Sequence, residues 1–167
     1  MCNHAVVNVA TLNTHSIYKY GEWACTATSS LTANTPQAIT WDTGVYAVGF
    51  SPSSGGTYLT ASNSGYYNII TTILLSKSGG GGTSSACYAW IETSGGTQVA
   101  NSCRHIDIGG GATGEISINQ VVYVNGSFRI MVAADSSSVS FTTLAAQTSP
   151  YTRPQTPAGS LSVFIIA

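Results

Sequence analysis

The densest group of chemically reactive residue types in the chain is Cys103-Arg104-His105-Ile106-Asp107. On an extended strand, Cys103, His105 and Asp107 would point to one face, because side chains alternate with a period of two. A cysteine, a histidine and a carboxylate together are the types used in nucleophilic catalysis and metal binding. Alternate residues on a strand face stand ~6.5 Å apart, however, which is too far for direct hydrogen bonds between short side chains. We therefore interpret this stretch as a surface loop without a catalytic role.

Other signatures of chemistry are absent from the sequence. There is no G-x-S-x-G, H-E-x-x-H or G-x-x-x-x-G-K-[ST] motif, and the Gly79–Gly82 run lacks the lysine and helix start of a phosphate-binding loop. Three aspartates, Asp42, Asp107 and Asp135, are oxygen ligands of the type that Ca²⁺ takes, but they lie on distant segments. We predict no catalytic residue, no metal ligand and no cofactor, and we expect a protein that is not an enzyme.

Four cysteines are present: Cys2, Cys25, Cys87 and Cys103. None forms a C-x-x-C pair, so nothing in their spacing indicates a zinc site or a thioredoxin-like motif. Three full pairings are open to four cysteines, and the sequence does not choose among them. Reduced, buried thiols are the expectation for a chain made in a cytosol. Cys87 and Cys103 are the candidates for a disulfide, because both lie near a predicted strand pair.

Charge is scarce along the chain. Only 7% of the 167 residues are charged, against roughly 25% in an average soluble domain, and the formal net charge is −1. Two interpretations fit: Ser and Thr solvate the outer faces of a β-sheet protein, or neighbouring subunits cover much of the surface, where charges would need desolvation. The 5 basic residues are scattered singly rather than clustered as phosphate neutralisation requires. No direct nucleic-acid partner is therefore expected.

The apolar segments argue against a membrane partner. No apolar run reaches the ~20 residues that a membrane-spanning helix needs. The segment Met1–Val7 lacks the positive region and apolar core of a secretory signal. We expect synthesis in a cytosol.

Short β-favouring runs separated by Gly, Ser and Asn clusters dominate the local pattern. Asn125-Gly126 lies between two such runs and predicts a hairpin with a type I′ turn. A second hairpin is predicted from Cys87–Glu92 to Gln98–Ala100 through a Gly-containing turn. The long run Tyr66–Leu75 predicts a central strand, and the apolar run Leu161–Ile166 predicts a strand in the middle of a sheet or at an interface. Ser138–Leu144 alternates at period two, like a half-buried strand.

No segment shows a sustained helical period of 3.6 residues. Eight to ten short strands with frequent turns are typical of a β-sandwich or a jelly roll. We predict an all-β fold: a single jelly-roll domain over residues 19–167, preceded by residues 1–18 as an N-terminal arm or a first strand. Most of the nine tyrosines are expected in the core or on the outer face of the pleated sheet, and a minority at subunit contacts.

From Tyr20 onward, the order and spacing of several short pieces resemble the jelly-roll domains of the complement C1q and tumour necrosis factor (TNF) type, in the form found in phage and large DNA virus structural proteins. The matching pieces are Tyr20-Gly21-Glu22-Trp23, Asn34–Asp42, Leu59–Ile69, Ala89-Trp90-Ile91, Val99–Ser102, Pro154, Pro157 and the final strand Ser160–Val163.

The chain departs from the family pattern in two respects. It has Asn125-Gly126 where viral members usually carry a Gly-Asp turn, and it has no Gly-X-Y stalk. Nearly the whole chain is the domain, which favours a capsid building block over a fibre tip.

The resemblance implies a virion structural protein, a penton, vertex or minor capsid component that is made in the host cytoplasm and assembles around a fivefold or threefold axis. Its partners would be copies of itself and neighbouring capsid proteins, with residues 1–18 as a tie to them. The alternative is a C1q-like trimeric module that binds a receptor or glycan at the tip of a viral fibre or spike.

Particular residues follow from each of these two functions. The axis of C1q-like trimers is lined by aromatic strand residues, which places Tyr67, Tyr123 and Phe164 at the oligomer interface. For the alternative, the loops 76–85, 108–114 and 149–157 are the ligand-binding candidates, with Tyr151 and Arg153 as the ligand-contacting residues.

Overall fold

The computed structural model describes residues 19–79, 83–150 and 152–166. The predicted arm, residues 1–18, lies outside the described residues, as does Tyr151 of the predicted ligand loop.

Strands account for nearly all of the regular structure, and the helical structure within the described ranges is one 3₁₀ turn, Ser94–Gly96. The strands are β1 (Tyr20–Cys25), β2 (Gln37–Ala38), β3 (Thr43–Val48), β4 (Phe50–Pro52), β5 (Leu59–Ala61), β6 (Gly65–Lys77), β7 (Ser85–Thr93), β8 (Thr97–Gln98), β9 (Arg104–Ile108), β10 (Thr113–Val124), β11 (Ser127–Ala134), β12 (Val139–Phe141) and β13 (Gly159–Ile165).

Two antiparallel sheets form a sandwich. The front sheet has the order β10–β6–β13–β1–β3, and β12 adds to β6. The back sheet has the order β4–β5–β11–β7–β8, with β2 beside β11 and β9 beside β7. This is the all-β jelly roll that the sequence predicts.

The core lies between the sheets and is built from every second residue of the long strands. On β6, every second side chain from Tyr67 to Leu75 is buried, including the polar Thr71, and the alternate residues point outward. The hydroxyl of Tyr67 donates a hydrogen bond of 2.8 Å to the carbonyl of Asn63. Tyr67 therefore packs inside one protomer, and the prediction that it lines an oligomer interface is wrong.

The predicted position of the last strand is confirmed. β13 pairs with β6 on one side and with β1 on the other, so it lies in the middle of the front sheet. Its inward residues Leu161 and Val163 are buried. Phe164 lies opposite both Tyr20 and Asn68, on the outward face.

Steric crowding explains the glycine in Tyr20-Gly21-Glu22-Trp23. Gly21 faces the core directly under the ring of Trp23, and a Cβ at this position would overlap the indole. The close approach of ring and backbone therefore needs glycine here.

The predicted hairpin at Asn125-Gly126 is wrong. β10 belongs to the front sheet and β11 to the back sheet, so the two strands do not pair with each other. Gly126 has φ +97°. A type I′ turn needs positive φ at both central residues, and only Gly126 has it here. The hydroxyl of Ser94 holds the crossing in place by accepting from the N–H of Ser127 and lying 3.2 Å from the carbonyl of Asn125.

The second predicted hairpin is confirmed in its first part. β7 and β8 pair through Glu92–Gln98 and Thr93–Thr97, around the 3₁₀ turn. The chain leaves the sheet after Gln98. The strand predicted over 138–144 is shorter than expected, since β12 covers only Val139–Phe141.

The predicted Cys87–Cys103 disulfide is also wrong. Cys87 faces the core from β7 and is fully buried, whereas Cys103 is exposed on the outside, and both are free thiols. Burial, with the negative charges of Asp135 and Asp107 adding to it, raises the pKa of Cys87 to about 11. This thiol is therefore neutral and unreactive in the folded protein.

Candidate oligomer interface

The outward side of the front sheet carries a group of large exposed side chains near one end of its strands. We call this group the aromatic face. Its members are all at least 39% exposed, and they are Tyr20, Tyr46, Tyr66, Val121, Tyr123, Phe164 and Ile166.

Strand register makes the aromatic face continuous. Val121 on β10 lies opposite Asn68 on β6, Asn68 lies opposite Phe164 on β13, and Phe164 lies opposite Tyr20 on β1. Side chains directly opposite each other on antiparallel strands stand about 4.5–5.5 Å apart at Cβ, close enough to touch. One row of side chains thus crosses four strands.

Ring pairs flank this row and hold its neighbours in place. The rings of Tyr20 and Tyr46 stack with centroids 5.1 Å apart. Tyr66 and Tyr123, which are register partners, meet edge to face at 5.2 Å. Each ring restricts its partner's rotamers, so the surface is ordered before any partner arrives.

Asn68 interrupts the aromatic face at its centre. Its side-chain Oδ1 is buried and has no hydrogen-bond partner within the described chain. A buried carbonyl oxygen without a donor is costly, so a donor from outside the protomer would be favourable here.

The other half of the same sheet face is polar. Further along the strands the outward positions are Ser117, Thr72 and Ser160, and the hydroxyls of Thr72 and Ser117 lie 3.4 Å apart. Ser117 also donates to Glu115 at 3.1 Å. Glu22, opposite Tyr46, lies at the border of the aromatic face. The front sheet is therefore solvated at one end and apolar at the other.

The predicted site residues are placed as follows. Tyr123 and Phe164, 52% and 42% exposed, both lie on the aromatic face, and their role at an interface stays a prediction. Arg153 lies apart from that face and donates through Nε to the side chain of Gln147 at 3.0 Å.

The described tyrosines lie mostly on the outer faces of the sheets rather than in the core. Among the tyrosines that the structure describes, Tyr67 is the buried one and five are exposed. Sequence reasoning missed Tyr20, Tyr46 and Tyr66 as members of this surface. The adjacent pair Tyr66-Tyr67 was the available signal, because neighbours on a strand face opposite sides.

The stretch from Cys103 to Asp107 is a strand rather than a loop. β9 begins at Arg104, and the alternate residues Cys103, His105 and Asp107 are exposed. His105 Nε2 lies 3.3 Å from Asp107 Oδ1, closer than the spacing along a strand suggested, because the two side chains lean toward each other. The ring of His105 also packs on Tyr88 with centroids 4.8 Å apart.

The aspartates considered for Ca²⁺ are occupied by donors of the protein itself. Asp42 accepts from the backbone N–H groups of Thr26 and Ala27, and Asp135 accepts from that of Ala86. Across the described ranges, no group of three His, Cys, Asp or Glu side chains is placed to hold a metal ion. Nor does that part of the chain contain a helix long and apolar enough to span a membrane.

Comparison with known proteins bears on the fold. No protein-family model matches the chain, and no curated protein matches it in sequence. Among solved structures, the globular domain of zebrafish complement 1qA aligns with a TM-score of 0.55 at 10% identity, covering 89% of this chain and 97% of that one. Murine APRIL aligns with TM-scores of 0.56 at pH 5.0 and 0.51 at pH 8.0, again at 10% identity, covering 89% of this chain and 99% of that one. The chain therefore has a C1q/TNF-like jelly-roll fold.

Proposed function

We propose that the chain is a non-enzymatic structural subunit that assembles with copies of itself through the aromatic face, and that the assembly is part of a virion. The observation that carries the proposal is the aromatic face itself, a continuous, preordered, apolar surface on an otherwise polar sheet.

The composition of this face fits a contact between subunits. Contiguous exposed apolar surface on a soluble protein marks an interaction site more often than chance, and tyrosine and phenylalanine are enriched in interface cores. The members of the aromatic face are uncharged, and the exposed Glu22 lies at its border, so burial of the central row requires little desolvation of charge.

Asn68 fits the same contact. At the centre of an apolar interface, a polar side chain costs stability but selects one register and one number of subunits, because only some arrangements supply its hydrogen bonds. Copies of this chain around a symmetry axis would bring their Asn68 side chains together.

The virion part of the proposal has support of a different kind. It rests on the sequence resemblance to phage and large DNA virus structural proteins, on the low charge of the chain, and on the absence of catalytic motifs. A capsid subunit is covered by neighbours on several sides, which favours Ser, Thr and Asn over charged residues.

The assembly test is native mass spectrometry of the purified chain, together with light scattering after size exclusion. We expect one closed oligomer for the wild-type chain. The variants Phe164→Lys and Val121→Lys should each yield folded monomers, because each places a charge within the central row of the aromatic face.

Thr60→Lys is the matched control. Thr60 is an exposed strand residue of the back sheet, so this variant adds the same charge away from the aromatic face and should keep the wild-type stoichiometry. Circular dichroism establishes that each variant is folded. A wild-type chain that stays monomeric up to its solubility limit would contradict the proposal, as would an oligomer that survives both front-sheet variants.

The virion role has its own test. In material from the natural source, the protein should co-sediment with virus particles and remain with them through density-gradient purification. Recovery only in the slowly sedimenting fraction would refute a virion role while leaving self-assembly intact.

A further inference from the structure

A pocket of about 550 Å³ opens on the outward side of the back sheet, on the opposite side of the sandwich from the aromatic face. This size lies within the range of about 300–1,000 Å³ that is usual for small-molecule sites. The residues that matter for its chemistry are Tyr88, Trp90, Gln98, Asn101, Cys103 and Ala133.

The wall of the pocket is a bulge formed by residues 99–103. β8 and β9 pair with the same edge of β7, and residues 99–103 bulge away from that edge between them. The backbone groups of Ile91 are still satisfied in the gap: its carbonyl accepts from the N–H of Val99 at 2.9 Å, and its N–H donates to the hydroxyl of Ser102 at 3.0 Å. Ser102, fully buried, also donates to the carbonyl of Val99, so the bulge is pinned at both ends.

The floor of the pocket is aromatic. Tyr88 and Trp90 are alternate residues of β7 and point to the same outward side. Ala133 lies opposite Tyr88 on β11, and its small side chain leaves the depth that a larger residue would fill. Tyr88 is 40% exposed, so part of its surface is open to a ligand.

The Trp90 ring is held by a buried ion pair. Its Nε1 donates to Glu92 Oε1 at 3.0 Å, and the other oxygen of Glu92 accepts from Arg129 Nη2 at 2.7 Å and from Arg129 Nε at 2.9 Å. The guanidinium of Arg129 lies over the ring of Tyr58, 4.7 Å from its centroid. A buried ion pair is a weak source of stability, but here it fixes the plane of the indole.

The polar groups of the pocket are neutral. The side-chain amides of Gln98 and Asn101 make no hydrogen bond within the described chain, and Cys103 contributes a thiol. Glu92 is already paired with Arg129 and Trp90, and no charged side chain lines the pocket. Each amide offers both donors and an acceptor, and the floor offers aromatic ring faces.

We propose that this pocket binds a neutral saccharide. A pyranose ring has an apolar face of C–H groups that packs on an aromatic ring, and hydroxyls around its edge that both donate and accept hydrogen bonds. The fixed indole matches the first feature, and the two free amides match the second. The guanidinium of Arg104 donates to the backbone carbonyls of Asn101 and Cys103, at 2.9 Å each. None of the described lining residues carries a cation that would compensate the desolvation of an anionic sugar. This site is independent of the assembly proposed above.

The test uses maltose, lactose and chitobiose as neutral probes, with N-acetylneuraminic acid and glucose 6-phosphate as charged comparators. Binding is measured by saturation-transfer NMR and by tryptophan fluorescence, to which Trp90 alone should respond, because Trp23 and Trp41 are buried. In a Cys2→Ser background, a bound sugar should also slow the alkylation of Cys103, the exposed thiol among the described cysteines.

The double variant Gln98→Ala/Asn101→Gly should weaken binding at least fivefold. Asn101 has φ +62°, so glycine preserves its backbone conformation while removing the amide. Asn119→Ala removes an exposed amide from the front sheet and should bind like the wild-type chain. The proposal fails if no neutral probe binds, if the charged sugars bind as well as the neutral ones, or if the double variant keeps wild-type affinity. An oligomeric protein that binds no sugar would overturn this inference alone.

Discussion

The outward faces of the two sheets both carry aromatic residues, but they arrange them differently. On the front sheet, tyrosines and a phenylalanine stand open on a continuous surface, ordered by ring-to-ring contacts, with an unpaired Asn68 at the centre. On the back sheet, Tyr88 and Trp90 lie in a walled pocket, and a buried Glu92–Arg129 pair holds the indole. The front face leaves the Oδ1 of Asn68 without a hydrogen-bond donor in the described protomer, whereas the Trp90–Glu92–Arg129 network of the back face is formed within it.

This difference indicates what size of partner each face suits. A broad surface with one unsatisfied polar group gains most from a second large surface that supplies the missing donor. A concave site with a pinned wall and a fixed aromatic floor suits a small molecule. The predictions below separate these two cases.

The largest effect on the free energy of unfolding is expected for Arg129→Met. This variant would leave the carboxylate of Glu92, only 8% exposed in its side chain, with Trp90 Nε1 as its one remaining partner. We expect a loss of about 3 kcal/mol in urea unfolding, measured in the monomeric Phe164→Lys background. The double variant Glu92→Leu/Arg129→Met should regain most of the loss. A single-variant cost of less than about 1 kcal/mol would show that the network is not a structural element of the back face.

The second-largest effect is expected on the dissociation constant of the oligomer, and it should differ between the two faces. Tyr123→Ser should raise the dissociation constant of the oligomer about 30-fold, because an aromatic residue in an interface core contributes about 2 kcal/mol. Tyr88→Ser removes a similarly exposed tyrosine from the back sheet and should leave the dissociation constant unchanged. Analytical ultracentrifugation measures both. Equal effects of the two variants would remove the distinction between the faces.

Asn68→Leu tests whether the unpaired amide at the centre of the aromatic face sets the number of subunits. Removing the unpaired amide should strengthen assembly by about tenfold while producing more than one stoichiometry in native mass spectra. Thr60→Leu, at an exposed position of the back sheet, is the control and should change neither. If the Asn68 variant keeps a single stoichiometry, the number of subunits is set elsewhere.

The smallest effect is expected away from both faces, at Asp42. Burial alone would raise the pKa of this carboxyl, but hydrogen bonds from the backbone of Thr26 and Ala27 and from the hydroxyls of Thr43 and Thr26 outweigh it and hold the pKa below its ordinary value. The stabilisation is therefore complete above the ordinary pKa and is lost as pH falls through the lower, folded-state value.

Asp42→Ala should cost about 1 kcal/mol at neutral pH, a modest value because the site is exposed. Thermal unfolding of both proteins from pH 7 down to about pH 3 measures the difference, which should shrink below about pH 4. A difference that does not depend on pH would mean that the charge of Asp42 is not what holds the end of β1.

Much of the fold could be predicted from local patterns. The β-branched richness of Tyr66–Leu75 and the apolar run Leu161–Ile166 identify strands in central positions, which β6 and β13 occupy. The hairpin prediction at Asn125-Gly126 was wrong because the sequence indicates a turn there but not whether the two flanking strands pair with each other. Pairing is decided by long-range packing, which here sends β11 to the other sheet.

The candidate sites were harder to predict. Tyr67 and Tyr123 look alike in sequence, and only register shows that one points inward and the other outward. The sugar pocket depends on residues from β7, β11 and the bulge 99–103, which no local pattern brings together. Cys87 and Cys103 both lie near the predicted hairpin, but one faces the core and the other faces outward. Their spacing in the sequence does not show on which side of the sheet each side chain lies.

The central place of β13 has a consequence for biosynthesis. β1 pairs with β3, and β6 pairs with β10 and β12, but β1 and β6 are joined to each other through β13. Residues 159–165 leave the ribosome about 140 residues after β1. Until then, nascent chains lack Phe164 and the strand that joins the two halves of the aromatic face. In the proposed assembly, a complete aromatic face would therefore be available only on chains translated through β13.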